Sequence, residues 1–302
     1  MFTENMSDFS SPIDCVTRKN LTINKDCEMF LQDVRLDSFD AIWGHAGGET
    51  IKNIRPRSVT RFEVTHNSRK KILYLKRHNL EFVGLGRLFP RFFPTKCHSQ
   101  GLLEFNNICE FRNRGMRTVV PVMAGEKFSG CCRAESFLVT EDCYPYISLE
   151  NLLKNKPGFF KGQEGQNRKK ILIHEISALA RKMHQNGLNH QDFNATHILL
   201  NYEKGSDVPE LALFDMQRVE KNKIFRLRWK IKSLARLNYT LPDELFTPQD
   251  RINLLRFYKK KEHLNFLDRL EWFWILKKTD RIRRHTEKKG NQCFDGTGKT
   301  PF

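Results

Sequence analysis

Most of the signatures that settle a function at a glance are missing from this sequence. The longest aromatic-aliphatic run is residues 272–276, far short of the roughly 20 residues that cross a bilayer. A membrane-spanning helix is therefore not expected, and the chain reads as soluble or at most attached to a membrane surface. The opening residues, MFTENMSDFSSPID, carry no charged segment followed by an apolar one, so they do not read as a secretory signal. The eight cysteines are irregularly spaced and include no C-x-x-C pair. That speaks against a zinc site and against a disulfide framework. Cys131 and Cys132 are adjacent, which suits free thiols and a reducing cytosol. There is no G-x-G-x-x-G, no internal repeat and no aromatic-basic RNA motif. Acidic residues are the scarce charge: 35 Asp and Glu stand against 52 Lys and Arg, a net charge of +17.

What is present is enough apolar material, 39% of 302 residues, for a full core in one two-lobed domain or two small ones. The positive charge is uneven, with 20 Lys and Arg against 8 Asp and Glu in residues 221–290. Such a field suits polyanionic partners, whether nucleic acid, an anionic membrane or a phosphorylated glycolipid. It also suits a basic face that is merely solvated. The missing RNA motif removes nucleic acid from the expected partners.

The pattern of elements changes along the chain. Residues 1–25 and 286–302 are polar and read as disordered ends. Residues 59–64 and 71–75 read as strands around a turn at His66-Asn67-Ser68-Arg69. A helix at 101–114 stops at Gly115, and strands follow at 119–124 and 136–140. Residues 168–185 form an amphipathic helix with the stripe Leu172, Ile176, Leu179, Met183, ended by Asn186-Gly187. A polar loop at 189–196 precedes strands at 197–200 and 211–214, joined by a turn at 204–207, and the rest is basic and helical. The expected organisation is a sheet-rich lobe at 26–140 joined to a helical lobe at 141–285.

The informative segment is Leu188-Asn189-His190-Gln191-Asp192-Phe193-Asn194-Ala195-Thr196-His197, followed by Asp215 after a short hairpin. This spacing can bring two carboxylates to one cleft. Phosphoryl transfer needs that arrangement: one carboxylate orients the attacking hydroxyl and accepts its proton, and the other holds the metal that bridges the phosphates. Taken singly, each aspartate reads more readily as the cap of a turn; the constellation as a whole reverses that reading. His174, His184, His190 and His197 match no metal-ligand spacing and read as structural histidines.

His190-Gln191-Asp192 resembles the H-R-D of kinase catalytic loops, and Asp215-Met216-Gln217-Arg218 stands where D-F-G would be. With a histidine five residues after Asp192, the combination resembles the lipopolysaccharide kinase (Kdo/WaaP) family and, within it, the core heptose(I) kinases. Arg61-Phe62-Glu63-Val64, Tyr74-Leu75-Lys76-Arg77-His78, Glu104-Phe105-Asn106-Asn107-Ile108 and Gly115-Met116-Arg117-Thr118 are similar to the same family. So are residues 136–141, Ser148-Leu149-Glu150 and Asp250-Arg251-Ile252-Asn253, and the likeness covers roughly residues 30–285 in the family's order.

The resemblance implies an α+β, protein-kinase-like two-lobed fold, with one helix in the small antiparallel-sheet lobe and a larger helical lobe. It implies an ATP- and Mg²⁺-dependent transfer of phosphate to an alcohol group, a sugar hydroxyl of the lipopolysaccharide inner core, on the cytoplasmic face of a bacterial inner membrane. Asp192 would be the base, Asp215 the metal ligand and Lys76 the contact to the nucleotide phosphates. Glu104 would pair with Lys76, with Glu110 its rival on the same helix. His197 falls where protein kinases place a metal-binding Asn. Imidazole is a poor Mg²⁺ ligand, so metal contact, orientation of Asp192 and plain packing all stay open. Ala46-Gly47-Gly48-Glu49-Thr50 is the candidate loop over the phosphates, and its glycines also suit an ordinary turn. The other readings are a Kdo kinase, a protein or antibiotic kinase, and an inactive kinase-fold scaffold. Finally, Lys259-Lys260-Lys261 beside Leu264, Leu267, Leu270, Trp272 and Trp274 reads either as a solvated helix face or as a contact to anionic lipid.

Overall fold

The computed structural model describes residues 9–81, 99–129, 133–202, 206–221 and 226–294. It divides into two compact units, Met1–Tyr144 with Ala212–Gln217, and Pro145–Leu211 with Arg218–Phe302.

The first unit is built on a seven-stranded sheet. Its strands are β1 (Cys15–Arg18), β2 (Leu21–Asn24), β3 (Glu49–Ile54), β4 (Arg57–His66), β5 (Arg69–Glu81), β6 (Pro121–Ser129) and β7 (Arg133–Glu141). Their order is β1-β2-β6-β7-β5-β4-β3, and each neighbouring pair is antiparallel. Residues 15–24, expected to be irregular, are thus sheet: Leu21 and Ile23 are buried and Asn24 donates to the carbonyl of Pro121, 3.0 Å away. The expected turn between β4 and β5 is tight, with positive φ at Asn67 (49°) and Ser68 (61°). Two such residues match the twist of a two-residue hairpin.

Alternation along β5 sorts its side chains. Leu73 and Leu75 enter the main core with Phe62, Phe137 and Val139. Two short helices, α1 (Glu28–Asp33) and α2 (Phe39–Trp43), supply Phe30, Leu31, Phe39 and Ile42 to this core. Among the described residues the small unit therefore has three helices where sequence suggests one. Lys76 and His78 alternate away from Leu75. Helix α3 (Gln100–Asn113) packs so closely on the sheet that a Cβ at Gly101 would lie 2.4 Å from the carbonyl oxygen of Phe137.

The second unit is mainly helical: α4 (Leu149–Asn155), α5 (Gly162–Gln185), α6 (Arg226–Thr240), α7 (Pro248–Lys259) and α8 (Phe266–Phe294). Two small ladders accompany them. β8 (Ile147–Ser148) pairs with β10 (Ile198–Asn201), and β9 (Leu188–His190) pairs with β12 (Val219–Lys221). The strand between β10 and β12 in the chain, β11 (Glu210–Leu213), carries the chain back into the first unit. Helix α5 buries Leu172, Ile173, Ile176, Ala180 and Met183, and Gly187 follows it with φ 70°, where glycine carries no steric cost. Leu179 lies at the edge of that stripe, half-buried. Buried Lys169 bonds the carbonyl of Leu245 and ion-pairs with Asp250, each at 2.9 Å, fixing α5 to α7.

The C-terminal expectations change. Helix α8 runs past residue 285 to Phe294, so part of the expected disordered tail is helical. Residues 1–8, 295–302 and 203–205 of the expected turn lie outside the described residues. Leu264 precedes α8 rather than sharing its face.

Candidate functional site

The first unit gathers Lys76, Glu104 and Asp215. Lys76 is on a central strand, opposite Val59 and Leu138. Its ammonium lies 2.7 Å from Glu104 Oε1 and 3.2 Å from Asp215 Oδ1. Burial alone would lower the Lys76 pKa, but Glu104 and Asp215 outweigh it and raise it, so the group stays charged. Glu110 turns instead to Arg114, one turn along α3.

Asp215 has φ 58°, in the left-handed region. That conformation is costly for most residues, and Asp is one of the few that tolerate it. The turn is fixed on both sides. The carbonyl of Met216 accepts from Asn107 Nδ2 at 2.8 Å, and Gln217 donates to His78 Nε2 at 3.2 Å.

Arg57 completes the cluster and was not foreseen from sequence. It opens β4 directly opposite His78. Its guanidinium lies 3.7 Å from Asp215 Oδ1 and donates to Gln217 Oε1 at 3.4 Å. Burial, with Arg57 and Lys76 nearby, pushes the His78 pKa down to about 4, so this histidine is neutral. The signal for Arg57 lies in strand register: two positions before Val59, the residue paired with Lys76, it shares that residue's face.

Two buried polar atoms here, Arg57 Nε and Glu104 Oε2, have no hydrogen-bond partner. Such orphans point to a missing water or ligand. The donor set fits a metal–nucleotide: an ammonium and a guanidinium suit phosphate oxygens, and a carboxylate suits Mg²⁺.

Gly47 and Gly48 lie just before β3, whereas the β3–β4 hairpin turns at residues 55–56. Gly48 has φ 98°, and a Cβ there would come within 2.3 Å of the Arg61 carbonyl oxygen. The close approach of β4 accounts for glycine at this position.

The second unit holds Asp192 in a braced loop. The Asp192 N–H donates to His190 Nδ1 at 3.0 Å. His197 Nδ1 donates to the Asp192 carbonyl at 2.9 Å, and its ring stacks on that of His190. Of its three readings, His197 therefore has the geometry of an orienting group. Among the described residues no cluster of three or more His, Cys, Asp or Glu is arranged to hold a metal. Asn194 Oδ1 accepts from the N–H groups of Thr196 and His197, and the Ala195 N–H donates to Thr240 Oγ1. The Asp192 carboxylate accepts from Arg218 at 3.1 Å and from Arg236, which also donates to the Gln191 carbonyl. The D-x-Q-R segment is thus divided: Asp215 and Gln217 serve the first unit, and Arg218 the second.

A sheet lysine clamped by a helix glutamate and a loop aspartate, with a braced H-x-D loop on a helical unit, defines a protein-kinase-like phosphotransferase. The model of the lipopolysaccharide kinase (Kdo/WaaP) family matches residues 41–258, and the chain belongs to that family. The chain is 25% identical over 260 residues to the lipopolysaccharide core heptose(I) kinase WaaP of Pseudomonas aeruginosa, covering 84% of this chain and 93% of that one. It is 27% identical over 214 residues to the WaaP of Escherichia coli, covering 70% and 77%. A solved structure of WaaP in complex with acyl carrier protein shares the fold, with a TM-score of 0.63 and 22% identity over 87% of this chain and 99% of that one.

Proposed function

We propose that this kinase transfers the γ-phosphate of ATP to a hydroxyl of heptose I in the lipopolysaccharide inner core. The observation that carries this reading is the Lys76–Glu104–Asp215 cluster in a chain of this family, whose curated relatives are core heptose(I) kinases. Lys76 and Arg57 serve the nucleotide phosphates, and Asp215 holds Mg²⁺. The ion, when bound, neutralises charge on the transferring phosphate. Glu104 fixes Lys76, and Asn107 and Gln217 fix the backbone that presents Asp215. Asp192 orients the acceptor hydroxyl and takes its proton, with Arg218 and Arg236 holding the carboxylate and His197 and His190 holding its backbone.

The substrate is a glycolipid, so the kinase works at the cytoplasmic face of the inner membrane. No helix among the described residues is long and apolar enough to cross a membrane. Contact is proposed through α8, which leaves Phe266, Leu267, Leu270, Phe273 and Trp274 exposed. Their spacing places them along one helix face.

The direct test is mass analysis of lipopolysaccharide from cells with and without the gene, joined to assay of the purified protein. Loss of one phosphate from heptose I, restored by the intact gene and not by the Asp192→Asn form, is expected. A missing phosphate on Kdo instead would reassign the acceptor. Unchanged lipopolysaccharide would end the reading.

A further inference from the structure

We propose that Arg228, Lys232, Arg236, Lys278 and Arg281 form an anion-recognition site that seats acidic groups of the acceptor beside Asp192. This rests on the functional reading above and deepens it by naming what the acceptor must carry.

The placement follows from two helices. Arg228, Lys232 and Arg236 are spaced by four along α6 and so line one face. Helix α8 packs alongside: Asn238 Nδ2 donates to Thr279 Oγ1 at 3.2 Å, and that hydroxyl reaches the Ala235 carbonyl at 3.3 Å. Lys278, next to Thr279, and Arg281 are three apart on the adjoining helix. The row begins at the proposed base, because Arg236 bonds the Asp192 carboxylate. It runs about 12 Å to Arg228 at 1.5 Å per residue, a span suited to a short oligosaccharide.

The charges in this row are poorly compensated. Lys232 has Glu220 at 3.5 Å. Arg228, Lys278 and Arg281 make no ion pair among the described residues. Burial, then Arg281, Lys232, Arg236 and Arg228, lower the Lys278 pKa, the sign of cations crowded together without an acid. Crowded like charges work against the fold, and a bound polyanion relieves them. Arg228 and Arg281 are exposed and the other three half-buried, so a ligand can reach the row. The fitting ligand is a sugar chain with carboxylates or phosphate esters near the hydroxyl to be phosphorylated.

The test uses the full-length protein and a soluble inner-core oligosaccharide. It is offered intact, with its carboxyl groups reduced to alcohols, or with its phosphates removed. For Arg228→Gln/Lys278→Gln the KM for the intact oligosaccharide should rise about tenfold or more, with the KM for ATP unchanged. Calorimetric titration of wild-type protein should show the same loss for at least one of the two stripped oligosaccharides, and which one names the anion. The double variant should not discriminate against that form. Wild-type protein that binds all three alike overturns the site, as does a double variant with unchanged acceptor KM. A rise in the KM for ATP alone would move these cations to the nucleotide. If wild-type protein phosphorylates no oligosaccharide, the functional reading falls, and this inference with it.

Discussion

Lys76 and Asp192 are held in opposite ways. Lys76 is a cation between two carboxylates, and Asp192 is a carboxylate between two guanidiniums. Each is fixed by charges that a substrate's own groups can share. Removing the Asp192 carboxylate takes away the proposed proton acceptor, so Asp192→Asn should keep its fold and lose about two to four orders of magnitude in kcat. Near-wild-type turnover would end its assignment as the base. Arg57 has only a peripheral grip on Asp215 and a buried Nε without a partner. Arg57→Gln should therefore raise the KM for ATP about tenfold and spare acceptor KM; an unchanged KM for ATP would leave Arg57 a structural brace. Buried histidines add a pH effect. His184 is bonded by Tyr258, Asn189 and Ser233, and burial pushes its pKa down to about 4. The unfolded chain then binds the extra proton between about pH 6.5 and 4, so stability is full above 6.5 and falls as pH drops through that window. His78 behaves alike. His184→Gln should lower the slope of unfolding free energy against pH by up to about 1.4 kcal/mol per pH unit, read by denaturant titration at several pH values. An unaltered slope would show that His184 does not titrate there.

At the scale of elements, what the sequence disclosed was what local pattern dictates. The turn at Asn67-Ser68 and the glycine after α5 both read correctly, because backbone conformation and side-chain period are local properties. Lys76 and Glu104 could be named because the family pattern assigns them, and α3 does point Glu104 at Lys76. Arg57 could not be named: it reaches the cluster only through the register of β4 on β5, which no short window of sequence records. The strands β1 and β2 escape for a related reason: both are short, β2 is held by its distant partner β6, and β1 is held only by β2. For the glycines at 47–48 composition cannot tell a ligand's approach from that of a neighbouring strand: β4 comes close to Gly48, and a role over the phosphates stays a proposal. Gly101 is the sharper case of such contact, since α3 carries Glu104 one turn further on. Gly101→Ala must move the helix off the Phe137 backbone and should cost about 1–3 kcal/mol. Its nucleotide affinity should fall as Lys76 loses its fixed partner. Wild-type melting temperature and ATP affinity together would show that α3 absorbs the methyl group without moving Glu104.

Over the whole molecule, a net charge of +17 does not by itself say which surface would meet a membrane. The lysine run at 259–261 is one candidate, yet Lys259 and Lys261 both ion-pair with buried Asp268, and Lys259 is only 16% exposed. Asp268 in turn exchanges capping hydrogen bonds with Asn265 at the start of α8. Glutamates at 259 and 261 would break this junction, so loss of vesicle binding in such a variant would report on the fold. The face of α8 is the cleaner target, because Phe266 (79%), Leu267 (65%), Phe273 (54%) and Trp274 (47%) are already in solvent. Large exposed apolar side chains on a basic helix suit an anionic lipid surface, where each nearby Lys or Arg adds roughly 1 kcal/mol. Phe273→Ser/Trp274→Ser should therefore leave melting temperature and ATP affinity unchanged while weakening sedimentation with anionic phospholipid vesicles. Wild-type binding should also fall as salt rises, since the Debye length shrinks from about 10 Å at 0.1 M to about 3 Å at 1 M. Neutral vesicles should bind poorly throughout. Equal binding of the double variant and wild type at low salt would remove α8 from the membrane contact. A concentration-dependent mass in solution that the same substitutions abolish would assign the face to a second copy of the chain.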